Sequence, residues 1–496
     1  DRTATIDAPR YHAEVNSLGG QLRAWELHYR GAKPMIAPGI LISRGLTVTR
    51  AGQAPRIVGF ALSADKLALG PAAQTGEIVL TGDDGFGLRL TETLRFHADS
   101  YLVDHQLKVE NRQAVPQSAE IVLAWAAPIE PPKDTPERFQ GQHPIRVVRL
   151  ADGSVHREVL AKGAEFNGTG QWIGLESEWY LTALIPRSPG MLLAEARIAE
   201  PGPDPSRPVD LSQIAVRIPL SSLKPGQIWE GKVQTYAGPK EYDRLKAVGV
   251  ALEKSIYFGG FPAPQNYGGL PMEWLAVPIL WLMHRFYEFT HNYGVAIILL
   301  TVITKVLFFP LTIKSMTSMK AMQALQPQIN ALRSKYKSDP QRLQRETMEL
   351  YRTHKVNPLG GCLPMVVQIP IFYALYVALS VSVDIQNAPF ICFGRLFGVD
   401  LWICDLAAHD PTYVLPILMG VSMFVQQKMT PVMGDPRQAK MMLFMPVVFT
   451  FMFLNLPAGL VLYWTLSNVL QIAQQKYMEK MGKKPEKVPA RAPKKV

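Results

Sequence analysis

Lys305 is the one formal charge in the apolar run YGVAIILLTVITKVLFFPLT, residues 293–312. An ionisable group inside hydrocarbon costs about 2.5–3.5 kcal/mol unless it faces protein or water. Thr301, one helical turn earlier, lies on the same face and extends the polar stripe. The competing reading is that Lys305 snorkels: it stands seven residues from the end of the run, about 10 Å of helix, and its stem reaches part of that way. Other apolar runs carry uncharged polar groups: Gln368, Gln426, Gln427, Tyr463, Trp464, Ser467, Asn468 and Gln471. Tyr463, Ser467 and Gln471 recur at i, i+4 and i+8 with Trp464 and Asn468 beside them, so one face of that helix is polar. Such a face makes either interhelical hydrogen bonds or a wetted cavity. A cation with no acid in these runs is a poor proton relay and a good attractor for an acidic segment.

Covalent chemistry has no comparable signature. H-E-x-x-H, G-x-S-x-G, a P-loop and paired acids within the apolar runs are all missing, which leaves a protease or an ATP-driven pump without support. Cys362, Cys392 and Cys404 have no metal-ligand spacing, and whether Cys392 and Cys404 pair is left open. We therefore expect no catalytic residue, no metal and no cofactor, and a protein that is not an enzyme.

The elements that position these groups follow from hydropathy and charge. Of 496 residues 48% are hydrophobic and 19% charged. Residues 1–256 hold 29 basic and 29 acidic residues, so the whole net charge of +11 lies in 257–496, the more apolar half. Apolar runs at about 293–312, 359–383, 411–430, 441–455 and 458–475 predict five membrane spans. The last two form one uncharged stretch that is too long for a single crossing and turns at Asn455–Leu456–Pro457. Segment 313–358 has nine Lys/Arg against three acids, whereas 384–410 has Arg395 alone against four Asp. By the positive-inside rule the first is cytoplasmic and the second faces out. The tail 476–496, with eight Lys/Arg and two Glu, is again cytoplasmic. Residues 1–256 then lie outside, and a signal or anchor ahead of Asp1 is expected to have been removed.

Residues 1–256 read as an all-β domain. Leu88, Leu90, Leu94 and Phe96 share one strand face, as do Tyr101, Val103, Leu107 and Val109, and Asp84–Gly85 and Asp152–Gly153 mark turns. Residues 201–208 read as a surface loop and 239–254 as a helix leading out of the domain. Residues 271–292 predict an amphipathic helix lying in the interface, its apolar face running from Leu275 through Ile279 and Met283 to Phe289. The segment 313–358 predicts a helical hairpin split at Ser338–Asp339–Pro340, where Asp339 caps and Pro340 opens the second arm. A Met-rich stripe on its first arm is either a surface for varied apolar partners or the seam between the arms.

Three stretches carry a family resemblance. Residues 357–364 (NPLGGCLP, continuing MVVQIPIFYALY), 419–431 (MGVSMFVQQKMTP) and 457–468 (PAGLVLYWTLSN) resemble the signatures of the YidC/Oxa/Alb membrane insertases. WIGLESEWYLTALIP (172–186) and TYAGP (235–239) resemble the large periplasmic domain of Gram-negative members, a β-supersandwich related to galactose mutarotases. The resemblance implies a membrane α-helical bundle of five core helices with a cytoplasmic hairpin, joined to an N-terminal periplasmic β-supersandwich in the inner membrane. It implies insertion of nascent membrane proteins without ATPase activity, through a groove closed outward and open to cytoplasm and lipid. Partners would be client chains, the lipid bilayer, the Sec translocon (SecYEG and SecDF) and the ribosome through the basic tail. The family places an Arg in the groove where this chain has Lys305, which keeps the charge and loses the guanidinium fork. Carried over, Gln427 and Trp464 are its partners, with Thr301 and Tyr463 nearby; Gln368, Ser467 and Asn468 complete the groove set. Alternatives are a lipid scramblase or transporter, a Sec accessory factor without insertion activity of its own, and a sugar-active β domain. For the last, no His/Glu pair suited to a mutarotase cleft is evident in 1–256.

Overall fold

The computed structural model describes residues 1–29, 32–36, 41–129, 146–157, 160–177, 179–200, 208–258, 260–261, 270–396, 399–429 and 436–481. Nearly all of loop 201–208 and most of the basic tail lie outside the described residues. The chain divides into two units, Asp1–Tyr257 and Phe258–Val496.

Alternation of apolar and polar residues builds the first unit as three sheets among the described residues. The largest has nine strands; at its centre Leu88–His97 and Leu102–Asn111 pair antiparallel, and Leu102–Asn111 pairs on with Ile228–Pro239. A six-stranded sheet is built around Gln117–Pro128 and Val209–Leu223, and a five-stranded sheet holds the N-terminal strands. Leu88, Leu90, Leu94 and Phe96 face inward, as do Val103, Leu107 and Val109. Asp152–Gly153 forms the expected tight turn, with φ of 52° and 75°. Trp25, Trp125 and Trp172 are fully buried, and the Trp25 indole donates to the Ala237 carbonyl at 2.9 Å. That bond ties the five-stranded sheet to the nine-stranded one.

The end of this unit departs from expectation. Instead of a helix over 239–254 there is a short α1, Tyr242–Ala247, and a single 3-10 turn, Leu252–Ser255. Gly249 at φ 80° and Ala251 at φ 54° break the run between them. The segment is fixed by side chains: Trp172 donates to the Val250 carbonyl at 3.1 Å, and Arg157 donates to Lys254 and Ser255 carbonyls at 2.9 Å each.

The second unit is helical. α2 (Glu273–Thr290) buries Ala276, Ile279, Leu280 and Met283. Phe289, at the end of its predicted apolar face, is 84% exposed, and Trp274 and Trp281 are exposed as well. α3 (Tyr293–Leu307) ends at Phe308, and α4 (Phe309–Ala324) leaves it at 58°. The span expected over 293–312 is therefore broken: Pro310 has no N–H to continue the ladder and opens a new helix instead. α5 (Gln326–Lys335) follows a second break just before Pro327, so the first arm of the hairpin is two helices. α6 (Pro340–Thr353) starts as predicted, with Asp339 accepting from the Arg342 amide at 3.0 Å.

α7 (Pro358–Val381), α8 (Val414–Met429), α9 (Pro436–Phe453) and α10 (Ala458–Met481) occupy the other four predicted runs. Among the described residues no single helix is long and apolar enough to cross a membrane, while α3 and α4 pass that test as a bent pair. Between α7 and α8 lies a small hairpin, Ile391–Leu396 with Val399–Ile403, closed by a Cys392–Cys404 disulfide whose Cα atoms are 4.7 Å apart.

Close approach of α8 and α9 depends on Gly420, because a Cβ there would run into the Thr450 hydroxyl. Gly420→Leu is expected to cost about 1–3 kcal/mol through overpacking, read as a lowered unfolding temperature in detergent. An unchanged melting curve would show that the two helices separate freely.

Candidate functional site

Three of the helices in the second unit send polar side chains to the same partner, α10. Lys305 of α3 donates from Nζ to Gln471 Oε1 at 3.1 Å. Gln368 of α7 donates to Ser467 Oγ at 3.3 Å, and Asn468 donates to Ser422 Oγ of α8 at 3.2 Å. Ser467, Asn468 and Ser422 are buried, as is Thr301, whose hydroxyl closes on the Ile297 carbonyl at 2.6 Å. Repeated polar residues at helical spacing thus turn one side of α10 into a seam that α3, α7 and α8 share.

Lys305 is the charge in this seam, and its partner is a neutral amide. α3, α7, α8 and α9 contain no Asp or Glu, and α10 contains only Glu479 near its end. Nothing in these helices neutralises the ammonium, so its field is available to an incoming carboxylate.

Two of the anticipated partners are corrected. Lys305 bonds Gln471 rather than Gln427 or Trp464, because the rotation of α10 that seats Asn468 on Ser422 also brings Gln471 toward α3. Trp464 packs instead into an aromatic cluster, with ring centroids 4.4 Å from Phe372, 5.0 Å from Phe453 and 6.1 Å from Phe449. Tyr463 is buried beside the same Phe372 at 6.4 Å. Gln427 is half-buried on α8. Ser422 was not singled out by sequence, although it falls in the MGVSMFVQQ stretch one turn before Gln426.

One end of the seam is covered. Loop 384–410 lies over the N-termini of α3 and α10: Asn292 donates to the Phe390 carbonyl at 3.0 Å, and the amides of Ala458 and Gly459 donate to Ala408 and Leu406 carbonyls at 2.7 and 3.0 Å. His284 of α2 meets Asp384 at 2.7 Å and fastens the loop from the side. No covering loop of this kind joins the helices at the Lys305 end among the described residues. Nor is any group of three or more His, Cys, Asp or Glu gathered there as a metal site.

The β unit holds a His/Glu pair that sequence reasoning overlooked. His105 Nδ1 lies 2.7 Å from Glu92 Oε1 and its Nε2 lies 2.9 Å from Thr235 Oγ1. Both positions keep phase with the inward alternation of their strands, Leu90–Glu92–Leu94 and Val103–His105–Leu107, which was the available signal. At 4% and 1% side-chain exposure the pair is sealed between sheets and offers no cleft to a sugar.

Comparison with known proteins agrees with this division. A family model described as the 60Kd inner membrane protein matches residues 285–486, and one described as the YidC periplasmic domain matches residues 3–282. The membrane protein insertase YidC of Geobacter sulfurreducens is 40% identical over 489 residues, covering 96% of this chain and 85% of that protein. That of Syntrophus aciditrophicus is 37% identical over 501 residues, covering 97% and 86%. A solved active YidC insertase, with its first transmembrane domain resolved, aligns at 18% identity over 96% of this chain and 93% of that one, with a TM-score of 0.39. The β-rich unit is accordingly a periplasmic domain, and the helical unit the core of an inner membrane protein. The chain belongs to the YidC family of membrane protein insertases.

Proposed function

We propose that this chain inserts newly made membrane proteins into the lipid bilayer by lending a polar path to the client's hydrophilic segment. The observation that carries the reading is Lys305, a half-buried cation whose side-chain bond among the described residues is to the Gln471 amide. An acidic client segment gains Coulomb energy on entering the seam, which offsets part of its desolvation. The client's apolar span meanwhile runs along exposed apolar surface, such as Val302, Ile303 and Val306 of α3 and Ile417, Leu418 and Val421 of α8. Such a device lowers a barrier without making or breaking a bond, so the protein acts as an insertase and chaperone rather than an enzyme. The membrane potential, about 2.3 kcal/mol per charge per 100 mV, assists the outward passage of acidic segments.

The orientation that fits is five spans, with loop 384–410 and the β domain in the periplasm and the hairpin of α4, α5 and α6 in the cytoplasm. Loop charges support it, and so does the Cys392–Cys404 disulfide, a bond that persists in an oxidising compartment. The basic C-terminal tail suits a salt-sensitive contact with ribosomal RNA, and the Sec translocon with SecDF is the partner for clients that this chain does not insert alone.

The test is insertion of a single-span client with an acidic outer segment into vesicles holding this protein alone, scored by protease protection. Protection is expected with the full chain and with a chain lacking 1–230, since the seam lies wholly in the second unit. Lipid flip-flop without client protection would establish a scramblase in its place, and activity only with the translocon added would make it an accessory factor.

A further inference from the structure

The hairpin between α7 and α8 is unusual for a loop facing water. Residues 390–404, FICFGRLFGVDLWIC, include three Phe, a Trp and five aliphatic side chains against two charges. Those two charges, Arg395 and Asp400, stand opposite each other in the strand register. Pairing slips between Cys392 and Arg395, so that Phe393 and Gly394 oppose Leu401 alone. Gly394 sits at φ 100° and Trp402 at φ 74°, the backbone of a bulge that re-aims a side chain. The result is Phe393 turned outward, 71% exposed, with its ring stacked on Trp402 at 6.2 Å and 6° between planes.

The base of this hairpin is fixed at one end of the helical unit. Phe390 packs against Gly294 at the start of α3, where any Cβ would collide with the ring, and Asn292 holds the Phe390 carbonyl. Tyr413, Val414, Ile417 and Leu418, exposed at the start of α8, leave the same end of the bundle. An exposed Phe393 backed by the half-buried Trp402, at the same end of the helices as the exposed apolar start of α8, has the chemistry of the headgroup–acyl boundary. The disulfide closes the hairpin, so the aromatic face is presented without the ordering cost of a flexible loop.

We propose that the disulfide-closed hairpin is a lipid anchor, with Phe393, backed by the half-buried Trp402, seated among phospholipids at the outer surface of the bilayer. The proposal rests on the reading that α7 and α8 cross the membrane with this loop outside. It gives the loop covering the seam a fixed depth, so that the cover is held by lipid as well as by its hydrogen bonds to α3 and α10.

The experiment replaces Phe393 with photoreactive benzoylphenylalanine in the full chain, reconstituted in vesicles of phosphatidylethanolamine and phosphatidylglycerol. Irradiation is expected to add one phospholipid mass to the peptide carrying residue 393. The yield should exceed several-fold that from the same probe at Val115, exposed in the β domain. An oxidised hairpin that yields no phospholipid adduct would overturn the anchor, as would a polypeptide adduct in its place when native membranes are irradiated. Alkylation in whole cells separates the two readings. If Cys392 and Cys404 take a membrane-permeant maleimide without reductant, the outside placement has failed; if they are protected and no lipid is captured, only the anchor has.

Discussion

Lys305→Ala is expected to lower insertion of clients with acidic outer segments about tenfold, which corresponds to about 1.4 kcal/mol. Two unit charges about 6 Å apart at an effective dielectric near 20 attract by about 3 kcal/mol, and water in the seam reduces what is realised. The same substitution removes a charge that costs about 2.5–3.5 kcal/mol to hold in hydrocarbon, so the folded chain should be no less stable for it. Loss of insertion without loss of stability is the signature of a group kept for work on a client. Lys305→Arg keeps the charge and is expected to stay within about twofold, well inside the 1.4 kcal/mol that marks a decade. Clients with neutral outer segments should not distinguish the variants. Protease protection in vesicles reads all of these, and an equal loss with Ala and Arg would sink the charge argument.

Glu176→Gln should destabilise the periplasmic domain by about 3–5 kcal/mol, the usual cost of breaking a buried ion pair by removing one partner. Glu176 is fully buried and bonds Lys240 at 2.9 Å and Arg157 at 3.2 Å, with Arg146 on the same oxygen as Arg157. Lys240 and Arg157 are themselves nearly inaccessible, so an amide would leave two cations short of their counter-charge. Burial alone would push the Glu176 carboxyl up, but Lys240, Arg157 and Arg146 outweigh it and hold the group below the usual carboxylate range. A carboxyl lowered by folding adds stability that is complete above its unfolded value and lost as pH falls through the folded one. The domain should therefore tolerate mild acid and lose this contribution only below the ordinary carboxylate range. Thermal unfolding should fall by about 10 °C in the variant, at about 2–4 °C per kcal/mol for a domain of this size. Because Arg157 also clamps residues 254 and 255, the variant should expose that segment to protease, and a chain that resists both heat and protease as the parent does would refute the assignment.

Much of this was legible from residues alone, for reasons that also explain what was not. Period-two alternation around Leu88 and Tyr101 gave the strands, because burial on one face leaves no other register. The same alternation carried Glu92 and His105 into the core, where a search for surface cleft residues passes over them. Lys305 stood out because one charge in an apolar run is conspicuous, and Gln471 was visible as the third member of an i, i+4, i+8 series. Which polar group of α10 meets Lys305 depends on helix rotation, set by contacts such as Asn468 with Ser422 that no periodicity encodes. The seating of Trp464 among Phe372, Phe449 and Phe453 was hidden for the same reason. Spacing could not decide the Cys392–Cys404 pairing, since the register of a short hairpin brings those Cα atoms together. The elbow at Phe308 was masked by apolar residues running through Pro310.

That elbow has a physical consequence for the surrounding membrane. α3 runs 15 residues before it bends and α8 has 16 among the described residues, lengths of about 22 and 24 Å at 1.5 Å per residue. On the proposed five-span reading, a hydrocarbon layer of ~30 Å meeting such short apolar walls is expected to answer the hydrophobic mismatch by thinning at the protein's edge, at a fraction of a kcal/mol per Å. On that reading the lipids beside α3 and α8 would be drawn toward the depth at which Lys305 sits, leaving a client's polar segment fewer ångströms of oil to cross.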